Sequence, residues 1–258
     1  MTTPVEKYTA PALEKGLDII EVLSETDGGL TQAAIARRLG RSVGEIFRML
    51  VVLRRRGLIA LDEHSDLYTM TTRLFEIANR TPVVRRLSVA ASPVLRALAQ
   101  AARQSVHVAV LSGESIVVVA QVDTPSNHVL GVRMGARFPI WLTSSGRVIL
   151  AFQPEETVER YLRDYPPPDD KTTDDLRRDL EAIREARHEV TPSFVLKGVT
   201  NVSAPIIGHD SLSVAAMTLT FMGRHVGGSS LEACTDQLLA AAAELSSQIG
   251  GTFVPPRA

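Results

Sequence analysis

The stretch that most constrains this chain runs from Ser42 to Gly57, Ser-Val-Gly-Glu-Ile-Phe-Arg-Met-Leu-Val-Val-Leu-Arg-Arg-Arg-Gly. Val43, Ile46, Leu50 and Leu53 recur at helical spacing and form one apolar stripe, while Gly44, Arg48 and Arg55 fall on another face. One side is built for a core, and the other can meet an anion. Ser42 with Glu45 three residues on has the pattern of a capping box, and Gly57 supplies a C-terminal stop. The spacing therefore predicts a short, bounded helix.

The flanking residues give it a context. Leu13, Leu17, Ile20 and Leu23 keep helical spacing up to the turn at Asp27-Gly28-Gly29. Thr31 can cap a second helix whose Ile35 and Leu39 face the core and which ends at Gly40. Two short helices joined by a tight turn make a helix-turn-helix. After Gly57, Leu58 to Leu61 and Leu67 to Met70 flank the polar run Asp62 to Asp66, which reads as a β-hairpin and hence a wing. Charge agrees: from Leu30 to Ala60 seven arginines (37, 38, 41, 48, 54, 55 and 56) face one acid, Glu45, inside a chain of formal charge -1. Such a local excess suits phosphates. The hairpin tip, with Asp62, Glu63 and Asp66 and no Lys or Arg, suits them poorly, so wing contacts should be weak.

Further on, Leu74, Ile77 and Ala78 carry a short helix to Thr81-Pro82, where proline marks a domain boundary. Val83 to Arg103 is helix-rich, with Leu87, Val94, Leu95, Leu98 and Ala102 in register. From Ser105 the period becomes two, giving strands around Val106 to Val110 and Ile116 to Ala120, then a further strand at Val129 to Val132 before Gly135 and Pro139. His107 on such a strand reads as a hydrogen-bonded core or edge residue. Thr143 to Leu150 looks like a capped helix start, and amphipathic helices follow over 155–162 and 173–187. Strands at Gly198 to Ile206 and Ser213 to Thr220 and a helix from Leu231 to Ile249 complete an α+β arrangement.

The sequence resembles the IclR family of bacterial transcription regulators. The likeness runs through Leu30-Thr31, Ile35 to Gly40, Ile46 to Leu50 and Leu53 to Ile59, and continues through most of the remaining chain. It implies an α+β fold with a winged helix-turn-helix domain over 1–80, a linker helix over 81–103 and a GAF-like effector-binding domain over 104–258. Ser42 to Arg55 becomes the recognition helix, set in a major groove with its N-terminal half toward the bases. The DNA-contacting set expected is Arg41, Ser42, Gly44, Glu45, Arg48, Arg54 and Arg55, with Arg48 matching a family arginine. Many members carry Ser-Thr where this chain has Gly44-Glu45, and here Glu45 is read as closing the cap.

By the same resemblance the effector pocket comprises Ser144 and Ser145 at a helix N-terminus, Asn201, Thr218 and Thr220 on strands, Leu130, Phe138 and Val199 as apolar wall, and Thr191. Asn201 stands where cysteine is common and Thr191 where an acid is common, and Val195-Leu196 would make the pocket greasier. Helix-start amides and hydroxyls suit a carboxylate. Phe138 and Trp141 favour an aromatic acid, with small keto acids left open. The partners implied are double-stranded DNA at an inverted repeat, a small organic acid and a second copy in a homodimer or homotetramer.

The rest of the sequence excludes more than it adds. Cys234 is alone and the six histidines show no ligand spacing with it, so no disulfide, metal site or cofactor is expected. No Gly-x-Ser-x-Gly elbow or other catalytic motif occurs. The first residues lack the layout of a signal peptide, and no apolar run spans a bilayer, so a cytoplasmic protein is expected. Two other functions stay open: a sensory module acting through a protein partner, and an enzyme with an accessory DNA-binding module built around Thr143 to Gly146 with His107 or His128.

Overall fold

The computed structural model describes residues 10–78, 82–125, 131–223 and 229–256. They form two compact units, 1–82 and 83–258. The first contains α1 (Pro11–Ser24), β1 (Leu30–Thr31), α2 (Gln32–Arg38), α3 (Val43–Arg55), β2 (Ile59–Asp62), β3 (Leu67–Met70) and α4 (Arg73–Ala78). The strands make a small antiparallel sheet in the order β1-β3-β2. Ile19 and Leu23 of α1, Ile35 of α2, Ile46, Leu50 and Leu53 of α3, Ile59 and Tyr68 meet in one core.

Three positions depart from the expected stripes. Leu13 and Leu17 are 63% and 50% exposed, and α1 buries Gly16, Ile19 and Leu23 instead. At 3.6 residues per turn that buried face lies roughly 100° round the helix from Leu13 and Leu17, so one stripe cannot serve both sets. Val43, at the open end of the α3 stripe, is likewise half exposed.

The second unit contains α5 (Pro82–Ala102), β4 (Ser105–Ser112), β5 (Ser115–Val122), β6 (Arg137–Pro139), α6 (Ser144–Ala151), α7 (Glu155–Asp164), α8 (Thr173–Ala186), β7 (Glu189–Pro192), β8 (Thr200–Ile207), β9 (Ser213–Phe221) and α9 (Leu231–Gln248). Its six strands pair antiparallel in the order β6-β5-β4-β9-β8-β7. Because side chains alternate along a strand, the sheet has two different faces. One face, with Val106, Val108, Val202, Ala204, Met217 and Leu219, packs on α5 and α9. Leu87, Val94, Leu95, Leu98 and Ala102 are buried there, so α5 is part of this core over the length described rather than a free-standing connector. The other face is partly covered by α6, whose Val148, Ile149 and Leu150 lead on to Leu162 of α7 and Leu176, Leu180 and Ile183 of α8.

Only the end of the strand expected at Val129 to Val132 falls within the described residues. Gly131 and Val132 are loop, residues 126–130 lie outside the described residues, and the third strand of that edge is Arg137–Pro139 against Ser115–Val117. The short edge strand β7 was also unforeseen, since Glu-Val-Thr-Pro offers no apolar alternation and proline suits only an edge. No helix among the described residues is long and apolar enough to cross a membrane.

Candidate nucleic-acid interface and ligand cavity

α3 begins with the capping box its sequence promises. Ser42 Oγ accepts from the Glu45 amide at 3.3 Å, and the Glu45 carboxylate accepts from the Ser42 amide at 2.9 Å. Hydrogen bonds from the Ser42 backbone and hydroxyl, and then from Lys15, hold the Glu45 pKa down at about 2. Ser42 and Glu45 are thus committed to the helix end. Arg41 is tied to Asp18 at 2.9 Å and Arg54 to Glu63 on the wing at 3.1 Å. That leaves Gly44, Arg48 and Arg55 of the expected set on the exposed face with no ion-pair partner among the described residues. The exposed Phe47 and Val51 lie on this side too, and the sequence reading passed over both. At the wing tip Asp62 accepts from the His64 amide and the Ser65 hydroxyl, so its carboxylate serves the turn.

A candidate ligand cavity lies in the second unit, on the sheet face that α6 leaves open. It measures about 140 Å³. Strand register explains which side chains reach it. His107 pairs with Thr218, which pairs with Ser203, and the next row aligns Ser105, Thr220, Asn201 and Thr191. All of these point to the same face. His107, Thr218, Thr220 and Asn201 line the cavity, whereas Thr191, on the edge strand, does not. Thr191 is therefore a correction: it shares the face but sits one strand too far out. Phe138, Ser144, Ser145 and Val199 line it as expected, and Leu130 lies outside the described residues.

The apolar wall also includes Ile116, Val132, Phe194, Val195 and Leu196. Phe138 and Phe194 meet edge to face at 6.1 Å and 82°. Trp141, expected to add aromatic character, instead packs in the core beneath α6 and donates to the Tyr165 carbonyl at 3.0 Å. Among the described residues, no Lys, Arg, Asp or Glu is in the lining.

The start of α6 faces this space. Thr143 Oγ1 caps the Gly146 amide at 3.2 Å, and no acid occupies the first turn. The Ser144 and Ser145 amides have no acceptor among the described residues. Their hydroxyls belong to a buried chain that passes through Ser203. Ser203 Oγ donates to Ser144 Oγ at 2.7 Å, and Thr218 Oγ1 lies 2.7 Å from Ser203 and 2.9 Å from Ser145. Each hydroxyl has one proton. Ser145 must then donate to Thr218, Thr218 to Ser203 and Ser203 to Ser144, which leaves the Ser144 proton unused. Ser203 was missed in sequence, although its parity with Asn201 on one strand was there to be read.

A second missed feature fixes the helix itself. Arg147, 8% exposed, donates from Nε and Nη2 to Glu189 at 2.9 and 2.8 Å and from Nη1 to the Trp141 carbonyl at 2.6 Å. Burial still pushes the Glu189 pKa upward against that neighbouring charge. Gly146 is required by packing, because a Cβ there would stand 2.2 Å from the Ile140 carbonyl oxygen. His107 is buried without a hydrogen-bond partner among the described residues, contrary to the hydrogen-bonded residue expected, and desolvation lowers its pKa to about 4. It is neutral near pH 7.

Comparison with known proteins now decides the family. Residues 12–63 match the IclR helix-turn-helix domain, and residues 82–247 match the C-terminal domain of the bacterial transcriptional regulator IclR. The chain belongs to the IclR family. Among its IclR-family relatives is the HTH-type transcriptional regulator KdgR of Escherichia coli K12, 24% identical over 92% of this chain and 91% of KdgR. The HTH-type transcriptional repressor AllR of the same organism is 23% identical over 84% of this chain and 82% of AllR. Two solved structures share the fold. The Thermotoga maritima IclR has a TM-score of 0.72 at 25% identity, covering 92% of this chain and 98% of that one. An IclR homologue from Microbacterium hydrocarbonoxydans, solved with 4-hydroxybenzoate, has a TM-score of 0.76 at 21% identity over the same shares. As an IclR-family member, the chain is a DNA-binding, ligand-responsive transcription regulator with an N-terminal winged helix-turn-helix and an α+β effector domain. These relatives are named as regulators and not as enzymes.

Proposed function

We propose that this regulator binds an inverted-repeat operator as a homo-oligomer, through Gly44, Arg48 and Arg55 of α3, and that a small organic acid at the start of α6 alters that binding. The observation that carries the proposal is the α6 N-terminus: two amides and one hydroxyl proton without acceptors open on a cavity walled by apolar side chains. Helix-start amides favour an anion, and the wall favours an apolar body. Phe138 and Phe194 favour an aromatic acid over a keto acid, and the 4-hydroxybenzoate held by a relative of the same fold supports that class. On α3, Arg48 is suited to a guanine edge or a phosphate, and Phe47 and Val51 beside it to thymine methyl groups.

The acid must bind the DNA-competent and incompetent states unequally, or it shifts nothing. The experiment is binding of the purified protein to the DNA upstream of its own coding region, across a salt series and with a panel of organic acids. Saturable binding to a short inverted repeat, weakened by salt and changed by one acid, is the expected outcome. Arg48→Ala should cost about 1–3 kcal/mol of operator binding. Operator affinity that ignores Arg48→Ala, or the absence of any sequence-preferring binding, would overturn the DNA reading in favour of signalling through a protein partner.

A further inference from the structure

We propose that the cavity selects a singly charged acid of about one ring that carries a second polar group, and that His107 is the residue that reads this group. The inference rests on the effector reading of the same cavity.

Charge comes first. The α6 N-terminus offers one anion site, and among the described residues the lining holds no Lys or Arg to meet a second. Arg147, on the same helix, is occupied by Glu189 and the Trp141 carbonyl. A second carboxylate would be buried unpaired, which is strongly unfavourable. Size comes next. A dry cavity of about 150 Å³ holds benzene, and this one, at about 140 Å³, has two aromatic edges and a run of aliphatic side chains for such a body.

The second polar group follows from what remains unsatisfied. Three of the four hydroxyl protons in the Ser145, Thr218, Ser203, Ser144 chain are spent within the protein. His107 and Thr220 are each only 8% exposed, line the cavity, and have no side-chain hydrogen bond among the described residues. Their polar atoms keep some accessible surface, so they open on the cavity, where a ligand group can replace water as their partner. His107 sits directly across from Thr218, next to the anion site, so a ligand anchored at Ser144 and Ser145 lies alongside it. A neutral imidazole presents one N–H and one lone pair, which fits a hydroxyl in either role.

The test is calorimetric titration of the full-length protein with benzoate, its 2-, 3- and 4-hydroxy derivatives, terephthalate, pyruvate and succinate, on wild type, His107→Leu and Thr220→Val. At least one hydroxybenzoate should bind about 3–10-fold tighter than benzoate. That advantage, the ratio of hydroxybenzoate to benzoate affinity, should fall to about one in His107→Leu. Terephthalate should bind at least about 30-fold more weakly than benzoate. Thr220→Val keeps the residue's shape and should leave most of the hydroxyl advantage in place. An unchanged advantage in His107→Leu overturns the role of His107, and so does an equal loss for benzoate and hydroxybenzoate. Terephthalate or succinate binding as well as the matching monoacid overturns the charge rule. Pyruvate binding with no aromatic acid overturns the ring while the effector reading stands. If no acid binds, the effector reading itself fails and takes this inference with it.

Discussion

At the start of α3 the Ser42 hydroxyl caps the Glu45 amide, and the Glu45 carboxylate returns to the Ser42 amide, so the positive end of the helix already holds an anion from its own chain. At the start of α6 Thr143 caps Gly146 in the same way, but the position that carries Glu45 in α3 carries a glycine here. The Ser144 and Ser145 amides have no such acceptor among the described residues. The two ends also differ in how they are fastened. α3 is closed by exposed contacts three residues apart, whereas α6 is held by buried Arg147 reaching Glu189, 42 residues on. An open helix end needs distant anchors, because the local carboxylate that would steady it would also fill it.

The largest expected effect breaks the anchor. Arg147→Met leaves Glu189 buried without its partner, and such losses cost about 3–5 kcal/mol. Urea unfolding of the second unit should show it, and adding Glu189→Leu should return most of the stability. A double variant as unstable as the single would mean the pair is not what fixes α6. The next effect concerns the cavity wall. His107 keeps its proton off until about pH 4, whereas the unfolded chain takes it up near 6.5. Between those values the unfolded state binds more protons, so stability falls as pH drops from 6.5 toward 4, by on the order of 3 kcal/mol in all. Comparing His107→Gln with wild type at pH 7 and pH 4.5, without acid ligands, isolates this group. Parallel curves for the two proteins would place His107 in contact with water.

A third experiment gives α6 the carboxylate it lacks. Ser145→Asp puts an acid in the first turn, where it should take the free amides and weaken benzoate binding about 10–100-fold, or roughly 1.4–2.7 kcal/mol. Unchanged benzoate affinity would show that the anion sits elsewhere. This contrast also separates what the sequence disclosed from what it did not. The α3 cap and the wing were legible because Ser42, Glu45, Gly57 and the run from Asp62 to Asp66 are local signals. Seven of the nine residues that the family resemblance pointed to line the cavity. Thr191 does not line it, because a family-matched position does not disclose that its segment pairs as the edge strand of the sheet. Ser203, Arg147 with Glu189, and the removal of Trp141 to the core depend on pairings 15 to 59 residues apart. Leu13 and Leu17 misled because four apolar residues at helical spacing do not say which part of their arc meets a neighbour.

The smallest effect tests the closed end. Ser42→Ala removes one cap hydrogen bond and should cost the first unit about 1 kcal/mol. The Glu45 carboxylate is held near pKa 2, below its ordinary value of 4.5, so its support of the box is complete above 4.5 and is lost only as pH falls toward 2. The gap between wild type and Ser42→Ala should therefore hold from pH 7 to about pH 5 and shrink gradually as pH falls on toward 2 in thermal unfolding. A gap that closes by pH 4 would show Glu45 titrating as a free surface acid and the box open in solution. Benzoate affinity should not change in this variant, because the anion at α3 is Glu45 itself and the site at α6 does not draw on it.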